Sequence, residues 1–145
     1  VRRQHGVVIG QVTAEQIKIQ IGQVYPRAEE LSMNVKGRDA KTGMPKEVTL
    51  TSTEIYEVLR RPAKMIADEV RNVLEDTSPE LASDVYDAGI VLIGGGSQLD
   101  GLPELLRRNL GISATVAKNP ADCVCRGIGW CLGNEAAKKY IRTGK

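Results

Sequence analysis

Residues 89–102, GIVLIGGGSQLDGL, carry an unbroken apolar run into three consecutive glycines and out through a short polar turn toward a helix. Ile90, Val91, Leu92 and Ile93 read as a buried parallel strand, because a strand covered on both faces shows no polar alternation. Gly94, Gly95 and Gly96 then free the backbone for positive φ and remove every side chain that would hold a flat ring or a phosphate at a distance. Ligands of open α/β sheets settle at that end of a strand. A tight strand-to-helix turn without a ligand explains the same glycines, so the surrounding residues have to decide.

At 145 residues the chain is the size of one ordinary domain, large enough to bury about 68–70% of the surface its unfolded form exposes. Hydrophobic residues make up 41% and charged residues 26%, as in globular domains generally. Aromatics are 3% with no Phe, so the core must come from Val, Ile, Leu, Ala and Met, and a stacking platform for nucleic acid is thin. The net charge of +2 comes from 20 basic and 18 acidic residues interspersed along the chain. No dominant field steers a polyanion, and nucleic acid is not an expected partner. No apolar run approaches 18 residues, so neither a transmembrane helix nor a secretion signal is expected. The chain starts without Met, which suggests a processed, tagged or excised segment.

Cys123, Cys125 and Cys131 fall in one late segment. An odd number in a chain expected to be cytosolic argues against a disulfide scaffold. The sole histidine, His5, lies far off in sequence, so no metal site assembles and the cysteines read as small buried helix residues.

Working outward from the glycines, Thr13-Ala14-Glu15-Gln16 predicts a capping box opening a helix that carries Ile17, Ile21 and Val24. Alternation in Leu31, Met33 and Val35 predicts a half-exposed strand, with a second at 47–51 and a long turn-rich tip over 37–45. Thr51-Ser52-Thr53-Glu54 repeats the capping signature before a long amphipathic helix reaching about Asp76, which Pro62 is expected to kink or break. Ser78-Pro79-Glu80 opens a short helix to about Ala88. After the glycines come a helix at 102–110, a strand at 112–116 and a last helix from about Ala121 to Tyr140, whose Gly127, Gly129 and Gly133 suggest close packing against a neighbouring backbone. The change of character near residue 78, from hairpin and long helix to strand–loop–helix units, suggests two lobes.

Glu15 and Lys18 stand three apart on the first of these long helices, on one face. A carboxylate there accepts from vicinal hydroxyls while an ammonium donates to a ring or base edge; an ordinary surface ion pair fits the same spacing. No Walker lysine follows Gly94–Gly96, and Gly94-Gly95-Gly96-Ser97-Gln98-Leu99 does not match GxGxxG. Ser97 caps the following turn or touches a ligand. Asp84, Asp87 and Asp100 read as helix-end or turn residues, and no catalytic centre can be assembled from one distant histidine.

Four blocks taken together resemble the bacterial actin homologues of the MreB, rod-shape-determining family, within the actin–hexokinase–heat-shock chaperone superfamily. They are IGQVTAEQIKIQIG (9–22), MNVKGRDAKTGMPKEVTLTSTEI (33–55), TSPELASDVYDAGIVLIGGGSQLDGL (77–102) and NPADCVCRGIG (119–129). The resemblance covers the C-terminal half of such a protein and implies an α/β, actin-like second lobe of ribonuclease H-like type, incomplete here. Residues 1–77 look like its small outer α+β subdomain, with helix, hairpin and long helix, and 78–145 like the returning half of its inner α/β subdomain.

In that family the glycine turn underlies adenosine, so the resemblance assigns Gly94, Gly95, Gly96 and Ser97 to nucleoside binding, together with Glu15 and Lys18 on the ribose- and adenine-contacting helix. It implies ATP or ADP with Mg in the full-length protein, weak ATPase activity there, self-association into filaments, and contact with other cell-shape or division proteins. Localisation is expected to be cytoplasmic, with membrane contact made by elements absent here. Relatives commonly have Glu-Arg where this chain has Gln11-Val12, which puts a polar contact before the helix in doubt. The phosphate-gripping hairpins, metal-positioning aspartates and water-activating carboxylate of the family belong to its N-terminal half. This chain alone is therefore expected to bind nucleotide weakly and hydrolyse none. The alternatives are a sugar kinase or chaperone ATPase of the same superfamily, and a nucleotide-independent interaction module or inactive fragment.

Overall fold

The computed structural model describes residues 1–134 and 137. Its elements run α1 (Arg2–His5), β1 (Val7–Val8), α2 (Gln11–Ile21), β2 (Ser32–Asp39), β3 (Pro45–Thr51), α3 (Ser52–Glu75), α4 (Pro79–Ala88), β4 (Ile90–Leu92), α5 (Leu102–Leu110), β5 (Ala114–Val116) and α6 (Cys123–Gly133), with 3₁₀ turns at Gly95–Gln98 and Pro120–Asp122. Among the described residues, β1, β2 and β3 form an antiparallel sheet and β4 and β5 a parallel pair.

The hairpin follows from strict alternation. Met33 faces Leu50 and Val35 faces Val48 across the pair, and Val35 and Leu50 are buried with Ile17 and Ile21 of α2 in one apolar cluster. The opposite face carries Asn34 against Thr49, whose hydroxyl donates to the Asn34 Oδ1 at 2.8 Å. Pairing continues to Arg38 and Pro45, so the tip is shorter than the 37–45 loop expected from composition. Backbone pairing with β1 on the other edge extends β2 through Gly37, where a side chain would meet Val7 and Val8. At the tip the Asp39 carboxylate accepts from the Thr42 and Lys41 amides, each at 2.9 Å, and from Lys46. These bonds, that of Thr42 foremost, hold its carboxyl well below the usual carboxylate range.

The capping box before α3 forms as its spacing demands. The Glu54 amide donates to the Thr51 hydroxyl at 3.3 Å and the Thr51 amide donates to the Glu54 carboxylate at 3.0 Å. His5 Nε2 lies 2.8 Å from the same carboxylate and ties α1 to the start of α3. From there α3 stays helical through Pro62 to Glu75, so the expected break does not occur. Pro62 and Val58 are both on the exposed side, where water can satisfy the Val58 carbonyl that proline leaves without an amide.

Ala63 and Ala67 of α3 meet Val24 and the α5 residues Leu102 and Leu106 in a second cluster, which also takes Leu92 of β4 and Ala114 of β5. Ile55 of α3 packs against the first cluster as well, so one helix lines both cores.

Other expectations give way to tertiary structure. α2 begins at Gln11 with Gly10 as its N-cap and no side-chain cap bond. The Gly10 carbonyl already accepts from the Ala14 amide at 3.0 Å, which leaves Thr13 inside the first turn and no box to close. β4 is parallel, as expected, but it ends at Leu92, and Val91 and Ile93 are 63% and 52% exposed. Only the face carrying Leu92 packs on α5. α6 starts two residues later than expected, after the 3₁₀ turn, and its expected extension toward Tyr140 lies outside the described residues. Among the described residues nothing lies within 4 Å of a side chain built at Gly127, Gly129 or Gly133, so these glycines do not pack against a neighbouring backbone there. Cys125 is exposed and Cys123 and Cys131 are half-buried, which corrects the reading of all three as core residues. Each sits on a helix with Val124, Ile128, Trp130 and Leu132 exposed. Among the described residues no helix is long and apolar enough to cross a membrane.

Candidate functional site

Helix α2 and the glycine turn after β4 face each other across a cleft of about 420 Å³, within the range of small-molecule sites. Glu15, Lys18 and Ile19 line it from the helix, and Gly95, Gly96, Gln98, Leu99 and Asp100 from the turn. Residues some eighty positions apart in sequence therefore share one hollow.

A seam between two loops holds these walls together. Gln23 and Asp100 pair as an isolated parallel bridge, and the Val24 amide donates to the Asp100 carbonyl at 2.9 Å. Gly101, at φ +79°, lies so close to Tyr25 that any Cβ would collide with it. Arg27 Nε reaches the Asp100 carboxylate at 3.2 Å at the mouth of the cleft, and the Arg108 guanidinium sits 5.0 Å over the Tyr25 ring. Chain on both sides of the cleft is thus stapled at one end.

Of the six residues singled out in the sequence, four line the cleft and two do not. Lys18 Nζ and Glu15 Oε1 are 2.7 Å apart, with side chains 41% and 55% exposed, so the surface-pair geometry and the cleft position are both realised. Gly95 and Gly96 form part of the opposite wall. Gly94 and Ser97 stand behind it: the Ser97 hydroxyl is buried and donates to the Gly94 carbonyl at 2.7 Å, which is the turn-stabilising role and not a cleft-facing one. Gly94 needs its φ of +85°. Gly95 and Gly96 lie outside the positive-φ region, and among the described residues nothing stands within 4 Å of a Cβ built on either. Neither backbone conformation nor internal packing asks for glycine at these two positions. What their bareness keeps open is the cleft.

Arg27, Gln98 and the carboxylate of Asp100 were not assigned to a site by sequence reasoning. Asp100 carried the turn signal and nothing more, and Arg27 follows Pro26 in a loop without periodicity. Only the contact across the seam reveals Arg27 and Asp100, and only the lining of the cleft reveals Gln98.

Chemically, the Glu15 carboxylate can accept from two neighbouring hydroxyls, Lys18 can donate to a ring atom, and bare backbone can lie against a planar face. That set fits the sugar and base of a nucleoside. Among the described residues no three His, Cys, Asp or Glu side chains come together as a cation site.

Residues 1–140 match the family model described as MreB/Mbl protein. The cell shape-determining protein Mbl of Bacillus subtilis (strain 168) is 40% identical over 134 residues, covering 92% of this chain and 40% of that protein. The cell shape-determining protein MreB of Escherichia coli (strain K12) is 46% identical over 132 residues, covering 91% of this chain and 38% of that protein. The chain thus spans about two-fifths of the length of these relatives. Among solved structures, MreB5 of Spiroplasma citri bound to ADP superposes with a TM-score of 0.87 at 34% identity, covering 99% of this chain and 43% of that one. A MamK double helical filament superposes with a TM-score of 0.72 at 25% identity, covering 92% of this chain and 41% of that one. The fold is therefore actin-like, in part.

Proposed function

This chain belongs to the MreB/Mbl family, and from that premise we propose that it supplies the adenosine-holding side of an actin-like, ATP-dependent, filament-forming protein that determines cell shape. In this reading residues 1–77 are the outer subdomain and 78–145 the returning half of the inner one. Glu15 holds ribose hydroxyls, Lys18 meets the ring system, and Gly95 and Gly96 let the nucleoside lie against the main chain. The observation that carries the proposal is the pair of glycines opposite Glu15 and Lys18 that the chain's own conformation and packing do not require.

Phosphates and Mg²⁺ are gripped, in this reading, by the portion of the family's length that this chain does not span. Charge-assisted bonds to phosphate and metal supply most nucleotide affinity, so the isolated chain binds ADP weakly and hydrolyses no ATP. Similarity to an MreB5 bound to ADP and to a filament of MamK supports nucleotide use and self-association as family properties. The cytoplasm is the proposed location, with membrane contact left to other elements.

Titration of the ¹⁵N-labelled chain with ADP to millimolar concentration tests the site. Amide shifts concentrated at Glu15, Lys18, Gly95 and Gly96, abolished by Gly95→Arg, are the expected result. Shifts absent from the cleft overturn it. The exposed Val91, Ile93 and Trp130 favour a second reading, a docking module without nucleotide, which is left standing by a spectrum unchanged at millimolar ADP.

A further inference from the structure

Asn119 is the one residue other than glycine with a positive φ among the described residues, at φ 54° and ψ 60°. Its position directly before Pro120 narrows its backbone choices further, and it is exposed and makes no side-chain cap bond. A disfavoured backbone held by its surroundings is the pattern found where conformation serves a site. Here the consequence is visible one residue on.

After β5 the Ala117 amide donates to the Leu92 carbonyl at 3.0 Å, and the chain then turns at Asn119 so that the Pro120 carbonyl accepts from the Gly94 amide at 2.7 Å. The Asn119 carbonyl in turn accepts from the Asp122 amide at 3.1 Å, and the Cys123 thiol approaches it at 3.5 Å, which pins the turn to the start of α6. Gly94 therefore has both backbone polar groups engaged: its amide by Pro120 and its carbonyl by the Ser97 hydroxyl. The next two residues are the bare wall of the cleft.

We propose that Asn119 is a positioning residue for the cleft: its left-handed backbone presents the Pro120 carbonyl to Gly94 and so fixes the Gly95–Gly96 wall relative to Glu15 and Lys18. This rests on the reading of the cleft as a nucleoside site. Asparagine tolerates the left-handed region, glycine occupies it freely, and a β-branched residue does not. The backbone, not the amide side chain, is what matters.

The test is ADP titration of four full 145-residue chains, unsubstituted, Asn119→Gly, Asn119→Ala and Asn119→Val, by ¹⁵N spectra with far-UV circular dichroism as the check of folding. Asn119→Val is expected to weaken ADP at least fivefold and to move the Gly94 amide resonance, Asn119→Ala to do the same by less, and Asn119→Gly to stay within twofold of the parent. Should Asn119→Val not fold, the Ala and Gly pair carries the comparison. Equal ADP affinity in all folded variants overturns the proposal while leaving the nucleoside site intact, as does a loss in Asn119→Gly as large as in Asn119→Ala. Absence of ADP binding in the unsubstituted chain overturns the nucleoside reading and this inference with it.

Discussion

Glu15 and Lys18 are bonded to each other at 2.7 Å, one helical turn apart on α2, while both line the cleft opposite Gly95 and Gly96. An exposed pair of this kind contributes about 0–1 kcal/mol to stability, so breaking it should barely affect folding. Glu15→Gln is expected to leave the thermal midpoint within a few degrees of the parent and to weaken ADP several-fold. Parallel loss of stability and affinity would show that the pair is structural.

Gly101→Ala should be among the most damaging single changes. It forces a side chain into φ +79° and into the Tyr25 backbone and Cβ, and strain and overpacking together should cost about 2–5 kcal/mol. Gly6→Ala, at φ +65° with nothing among the described residues within 4 Å, carries the conformational part alone and should cost about 1–2 kcal/mol. Urea denaturation of the two variants separates the terms. A Gly101→Ala chain no less stable than Gly6→Ala would mean that the seam between residues 23–25 and 100–101 is loose.

The capping box makes stability depend on acid. The Thr51 amide, followed by His5, holds the Glu54 carboxyl below its ordinary value. A carboxyl depressed in the folded state contributes stability that is complete above its unfolded pKa and is lost as the pH falls through the folded one. The parent should therefore lose thermal stability more steeply than Glu54→Gln as the pH drops through the ordinary glutamate range. Thr51→Ala should cost about 0.5–2 kcal/mol at neutral pH. Superimposable acid limbs for parent and Glu54→Gln would remove Glu54 from the account.

Val91 of β4 and Ile93 just after it are largely exposed, and among the described residues the sheet of β4 has two strands. An uncovered apolar strand with a free edge templates association. Sedimentation velocity should show mass rising with concentration, and Val91→Lys should reduce it while changing stability by less than about 0.5 kcal/mol. A chain that stays monomeric up to hundreds of micromolar contradicts the expectation.

Most element types were legible from local signals, because a capping box, a proline at a first helical position and a period-2 hairpin act within a few residues. Thr51 with Glu54, Ser78 with Pro79, and Met33 with Val35 are of this kind. Thr13 shows the limit: its box is a valid local pattern, overridden because hydrogen bonding had already begun at Gly10. The strand at 90–92 was readable as parallel, yet an apolar run says only that both faces could be covered, not that both are. Gly95 and Gly96 were visible as glycines, but the absence of any internal demand for them required coordinates.

By itself, then, the order of residues settled most of the helices, though not all their bounds, the hairpin and the family, since these depend on neighbours along the chain and on motifs that survive without context. The tertiary structure alone decided that Lys18 shares a cleft with Gly96, that Asp100 holds Arg27, and that Ser97 turns away to brace Gly94. Those relations join segments far apart in sequence through packing and main-chain bonds whose partners no local pattern names.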